Sequence, residues 1–210
     1  MKALTKEAQA DITPQIALQL LKEGNERFQK KHMAARDLLD QVNDTKSGQF
    51  PFATILSCID SRVSSELIFD QGIGDIFSAR VAGNFVNEDI LGSMEFASKL
   101  AGTKLVLVLG HTACGAVKGA CDDAKLGNLT ALISKIKPAV AAVTEPTDPT
   151  QRNSKNIDFV NEVAVKNVHM TIDNIRSQSE VLKEMESNGE IIIMGGMYDI
   201  SNGVVTFFEN

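Results

Sequence analysis

Residues 104–110 read Lys104-Leu105-Val106-Leu107-Val108-Leu109-Gly110, five consecutive apolar residues between a lysine and a glycine. A strand with one wet face alternates apolar and polar residues; one with no polar position is covered on both faces. The run therefore predicts the central strand of a parallel sheet packed between helices. The rest of the chain repeats the theme more weakly. Phe52–Ser57, Asp75–Ala79, Glu190–Gly195 and Val204–Phe208 read as further strands, the last entered through a hairpin-like turn at Asn202-Gly203.

Between the strands the apolar period becomes helical. Thr13-Pro14 is a helix start, with Thr as cap and Pro in the first turn. Ile16, Leu20, Leu21 and Phe28 then share a stripe, which predicts a helix to about residue 31. Residues 32–50 are polar and read as irregular. Helices are expected over about 63–71, over 88–101 after Asn87, after His111, over 129–143 with a break near Pro138, and over 155–177. Ser179 caps one more, ending at Gly189. The fold class expected is α/β: a mostly parallel central sheet of about five strands, the last antiparallel, flanked by helices, with an N-terminal helical arm. Residues 1–50 are read as that arm and 51–210 as the α/β part built around the sheet, both parts of one domain.

Composition narrows the function. Hydrophobic residues make up 43% and charged residues 23%, which suits a folded soluble chain. With 21 Lys and Arg against 27 Asp and Glu, the net charge is −6 and no basic block appears, so nucleic acid is not an expected partner. No apolar run is long enough to span a membrane. The charged start, Met1 to Glu7, does not read as a secretion signal, and a cytoplasmic location is expected. Three cysteines, an odd number, argue against a disulfide framework.

Two of those cysteines stand where ligands collect in α/β sheets, beyond the carboxyl ends of strands. Cys58-Ile59-Asp60-Ser61-Arg62 follows the first strand, and His111-Thr112-Ala113-Cys114-Gly115 follows the strongest one. Cys, His and Asp are zinc ligands, and a zinc site takes four donors. If the two strands are neighbours, Cys58, His111 and Cys114 can meet at one point. The fourth place has two readings. Asp60 either binds the metal and closes the site, or pairs with Arg62 and leaves a water there. Cys121 reads as structural filler on the helix after Cys114, and His32 and His169 as surface or capping residues. Gly72-x-Gly74 lacks the third glycine of a dinucleotide fingerprint.

The paired motifs C-x-D-x-R and H-x-x-C resemble those of the β-class carbonic anhydrases. The resemblance runs on through Ala79-Arg80-Val81-Ala82-Gly83-Asn84, through Gly92, Glu95 and Phe96, and into Gly195-Gly196-Met197-Tyr198-Asp199, covering about residues 14–208. It implies one Zn2+ per chain on Cys58, His111 and Cys114, with Asp60 a fourth ligand only in a closed form. It also implies Asp60 and Arg62 as a catalytic dyad, and reversible hydration of carbon dioxide to bicarbonate and a proton via zinc-bound hydroxide. Gln49, Phe77, Ala82, Phe96 and Gly115 match substrate-binding positions, with Phe96 where the family often has Tyr. Ile55 stands where a bicarbonate-inhibited subgroup carries Trp, and the chain has no Trp, which places it outside that subgroup. Two thiolates cancel the charge of the metal, so a higher operating pH is expected than for a three-histidine site. The resemblance also implies a homodimer or homotetramer, the first helix reaching across to another subunit. Two other functions fit the same residues: hydrolysis of CS2 or COS, and a non-catalytic zinc or thiol sensor.

Overall fold

Seven buried residues in a row make β3 (Leu105–His111) the middle of the sheet. In the computed structural model, which describes residues 2–209, β3 lies between β1 (Ala53–Ser57) and β4 (Ile192–Tyr198), parallel to both. β2 (Ile76–Arg80) pairs in parallel with the outer side of β1, and β5 (Val205–Phe207) runs antiparallel on β4. The order is β2-β1-β3-β4-β5.

The period of two along β3 divides the core. Leu105, Leu107 and Leu109 point to one face, where they pack with Ala53 and Ile55 of β1 and with Ala17 and Leu21 of α2 (Pro14–Gln29). Val106 and Val108 point to the other. There they meet α5 (Glu88–Glu95), α9 (Ile157–Gln178) and α10 (Glu180–Ser187), through Leu91, Met94, Val168, Ile172, Ile175, Leu182 and Met185. Burying each such side chain contributes about 1.5–3 kcal/mol, which is why a strand with no polar position settles here. A third cluster, beyond the carboxyl ends of the strands, joins α9 to α6 (Gly115–Cys121), α7 (Gly127–Ser134) and α8 (Lys137–Ala142).

Several elements depart from the sequence expectations. Residues 32–50 are not wholly irregular, because Asp37 accepts from the N–H groups of Leu39 and Asp40 and starts α3 (Leu38–Thr45). A five-residue α1 (Lys6–Ala10), capped by Thr5, precedes the first expected helix. The helix expected over 63–71 is one turn, α4 (Ser65–Ile68). α5 gives way at Phe96 to a π-helical turn over Phe96–Leu100. The break expected near Pro138 is present at residues 135–136, and Pro138 sits in the first turn of the new helix, α8, where its missing N–H costs nothing. β4 runs through Gly195-Gly196 instead of stopping there, staying paired with β3 as far as Tyr198 opposite His111.

α2 is tied down at its carboxyl half. A Cβ on Gly24 would lie 1.8 Å from the Phe69 carbonyl oxygen, so the helix touches the backbone after α4 directly. Asn25 is buried; its amide donates to the carbonyls of Ile68 and Gly203 and its oxygen accepts from the Val205 N–H. The strongest tie is ionic. Asp70, fully buried, is gripped by Arg27, by Arg36 and by the Ala34 N–H. Burial alone would raise its pKa; the two guanidinium groups and the N–H outweigh burial and hold it below the ordinary carboxylate value. A depressed folded-state pKa stabilises the fold above the unfolded value of about 4, and the benefit is lost as pH falls through the folded value. Asp70→Asn should therefore cost on the order of 3 kcal/mol at pH 7, because the negative charge that faces two guanidinium groups is removed. The gap to wild type should narrow at about pH 3. Urea unfolding at both pH values checks this, and an equal gap at both would contradict it.

Candidate metal centre

β1 and β3 are in parallel register with Ser57 opposite Leu109, so the residue after β1 lies beside the end of β3. That residue is Cys58, and His111 is the last residue of β3. A turn then delivers Cys114 to the start of α6. Ala113 in that turn has φ +54°, left-handed backbone that a non-glycine residue adopts at a cost, and its N–H donates to Asn161 Oδ1 at 2.8 Å. On the other side, the turn after β2 brings the Gly83 N–H to Cys58 Sγ at 3.4 Å. Gly83 has φ +82°, and a Cβ there would sit 2.4 Å from Ile136 Cδ1, so both conformation and space demand glycine.

The donor atoms of Cys58, His111 and Cys114 lie within 4.8 Å of one another, and all three residues are buried. His111 Nδ1 stands 3.0 Å from the Thr112 carbonyl oxygen, to which it donates, so Nε2 carries the lone pair. That Nε2 is buried without a hydrogen-bond partner. A bare buried acceptor costs roughly 1–3 kcal/mol, and a bound cation would remove the cost. The sulfurs are 3.9 Å apart. Two sulfurs each about 2.3 Å from one tetrahedral zinc stand roughly 3.8 Å apart, so the spacing and the donor set both fit that ion. Among the described residues no other group of His, Cys, Asp and Glu converges in this way.

The Cys114 thiol donates to Cys58 Sγ. That bond, with His111 and the Gly83 N–H acting against burial, pulls the Cys58 pKa down to about 4. The same bond, burial and the neighbouring thiolate push Cys114 far up.

Asp60 stands at the rim. Arg62 grips it with both ends of the guanidinium, Nε to Oδ1 at 2.9 Å and Nη2 to Oδ2 at 2.7 Å, and its own N–H adds a bond of 3.0 Å. This holds the Asp60 carboxyl well below the usual range. Asp60 Oδ2 is 3.9 Å from His111 Nε2. Sequence reasoning assigned no task to Arg80, yet it clamps this loop by donating to the carbonyls of Cys58 at 2.9 Å and Asp60 at 2.7 Å. Arg80 ends β2 opposite Ser57, so only the β1–β2 register would have exposed its part.

The remaining candidates divide into two groups. Ala82 precedes Gly83, and Gly115 follows Cys114 with open space around it; both flank the cluster. Phe77 and Phe96 meet each other, ring centroids 6.3 Å apart, along a groove of ≈ 570 Å³ that none of Cys58, His111 and Cys114 lines. Phe77 lies opposite Thr54, four residues before Cys58, roughly 13 Å back along the strand. Gln49 packs beside Gly74, ahead of the amino ends of β1 and β2. Within one chain, Gln49, Phe77 and Phe96 are therefore not brought to the Cys–His cluster. Cys121, half-buried at the end of α6, lies outside it too.

Comparison with known proteins points one way. The family model for carbonic anhydrase matches residues 53–205. Carbonic anhydrase 2 of Mycobacterium tuberculosis is 33% identical over 201 residues, 92% of each chain. The carbonic anhydrase of Mycolicibacterium smegmatis is 30% identical over 91% of this chain and 92% of its own. The β-carbonic anhydrase CcaA superposes with a TM-score of 0.72 at 25% identity, over 91% of this chain and 95% of that one. A tetrameric β-carbonic anhydrase of the ascomycete Sordaria macrospora shares the fold, with a TM-score of 0.69 at 22% identity over 90% of this chain and 91% of that one. The matched span holds both motif-bearing strand ends and the buried cluster between them, and the chain belongs to the β-class carbonic anhydrase family.

Proposed function

We propose that this chain hydrates carbon dioxide reversibly to bicarbonate and a proton with zinc on Cys58, His111 and Cys114 and with Asp60 and Arg62 as the catalytic dyad. The observation that carries the reading is the meeting of two motifs from separate strands at one buried point, with an arginine-held carboxylate 3.9 Å from the bare imidazole nitrogen. Zinc, when bound there, supplies a Lewis acid that makes water a nucleophile near neutral pH. Asp60 accepts the hydrogen of the attacking water and turns its lone pair towards the carbon of carbon dioxide. Arg62 keeps both carboxylate oxygens engaged, which holds Asp60 ionised and stops it swinging onto the cluster. Ala82 gives an apolar wall and the Gly115 N–H a donor for a substrate oxygen.

Gln49, Phe77 and Phe96 complete the pocket from a second copy of the chain. Their separation from the cluster of their own chain supports this, as does Phe96, 55% exposed although aromatic. The tetrameric Sordaria macrospora relative supports a dimer or paired dimers as the working unit. Residues 1–50 serve as an arm of the same domain as 51–210, since Ala17 and Leu21 pack under β1 and β3. A reducing cytoplasm suits a site made of two thiolates, and no helix among the described residues is long and apolar enough to cross a membrane. The names of the relatives favour CO2 over CS2 or COS, and a zinc or thiol sensor has no use for the Asp60–Arg62 pair.

Three outcomes check the proposal. Purified protein should hold about one zinc per chain, and Cys58→Ser, His111→Ala or Cys114→Ser should each remove most of it. Full zinc in all three variants by metal analysis would end the assignment. Arg62→Ala should keep zinc but lower kcat/KM for carbon dioxide about 10²-fold or more in stopped flow, because the freed carboxylate no longer serves the attacking water. Near-normal turnover with zinc bound would make the pair structural. In sedimentation at micromolar concentration the protein should run as a dimer or tetramer. A fully active monomer would contradict the shared pocket.

A further inference from the structure

Two asparagines of α9 hold the turn that carries Cys114 and the turn after β2 that touches Cys58. Asn161, the fifth residue of the helix, accepts from the Ala113 N–H at 2.8 Å, one residue before Cys114. Asn167, buried two turns further on, donates from Nδ2 to the Gly83 carbonyl at 2.8 Å. The N–H of Gly83 in turn donates to Cys58 Sγ. The orientation of each amide is dictated by its partner, since an N–H can face only an oxygen and a carbonyl only an NH2. Both loops are left-handed at the point of contact, Ala113 at φ +54° and Gly83 at φ +82°. Such backbone persists where its surroundings over-determine it. The helix that supplies the two contacts is itself anchored in the core through Val168, Ile172 and Ile175.

We propose that α9 is the jig of the metal site: Asn161 and Asn167 are positioning residues that hold the Cys114 turn and the Gly83 turn against Cys58, at the sulfur separation a tetrahedral ion requires. The inference rests on Cys58, His111 and Cys114 being the ligands. Neither asparagine touches a donor atom or the substrate; each acts through the loop it holds. They act through opposite ends of the amide. Asn161 needs only an acceptor, so aspartate can replace it. Asn167 needs a donor, and aspartate there would set a carboxylate against the Gly83 carbonyl oxygen.

The test is competition for zinc between a chelator and zinc-loaded wild type, Asn161→Asp, Asn161→Leu and Asn167→Asp, beside the thiolate-to-metal absorption of the cobalt-substituted proteins. Asn161→Asp should hold zinc as tightly as wild type. Asn161→Leu and Asn167→Asp should each weaken it by roughly 10–100-fold and reduce the cobalt–thiolate band. A residue that merely stabilised the helix would not separate aspartate from leucine at 161 while rejecting aspartate at 167. Wild-type affinity in Asn161→Leu, or equal loss in Asn161→Asp and Asn161→Leu, overturns the inference. So does wild-type affinity in Asn167→Asp. Should Asn167→Asp fail to fold, the two variants at half-buried Asn161 decide alone. Zinc held as tightly by Cys58→Ser as by wild type would instead overturn the ligand set itself.

Discussion

Parallel pairing of β1 with β3 puts Ser57 opposite Leu109, and the chemistry of the chain follows from that register. A slip of one residue would turn every side chain of β1 to the other face, taking Ile55 out of one core cluster and Leu56 out of the other. It would also move Cys58 by about 3.3 Å relative to His111, comparable with the 3.9 Å between the two sulfurs. The apolar packing that fixes the fold is thus the same packing that fixes the metal site. No separate device is needed to bring the two motifs together; what is needed is support for the loops, which Arg80, Asn161 and Asn167 give.

Charge at the site is arranged in two self-cancelling sets. Two thiolates would balance a divalent cation held there, and Arg62 balances Asp60 through two hydrogen bonds. Neither set leaves a net charge in a buried place, which would be costly. The arrangement suits the reaction. Carbon dioxide is neutral and gains nothing from a charged wall, whereas bicarbonate is an anion that a net positive site would retain. The carboxylate stays ionised because its partner is a guanidinium, and its position at the rim, 15% exposed, keeps it in reach of water.

Legibility in the sequence tracked burial. β3 could be read directly because all seven residues are buried and none is polar in the run 105–109. The convergence of Cys58, His111 and Cys114 could be read because two motifs of metal-ligating side chains stand at the ends of two apolar strands. α3 escaped notice for a physical reason: it is only eight residues long, its one buried residue is Gln41, and its apolar residues Leu38, Leu39 and Val42 face outward and not into the core. α1 is only five residues long and buries nothing. Arg80 and the two asparagines of α9 were hidden for another reason. Their partners are backbone carbonyl and amide groups, which leave no trace in side-chain patterns. The separation of Gln49, Phe77 and Phe96 from the ligands also required the sheet register, since strand spacing alone does not say at which end of a strand a residue faces its partner.

X-ray absorption at the zinc edge of the loaded protein near neutral pH reads the donor set itself. The account predicts two sulfurs at about 2.3 Å and two lighter donors at about 2.0–2.1 Å, one of them an imidazole. Those values follow from Cys58, Cys114 and His111 as ligands with one further oxygen. Three sulfurs, which would bring in Cys121, or a single sulfur, would contradict it.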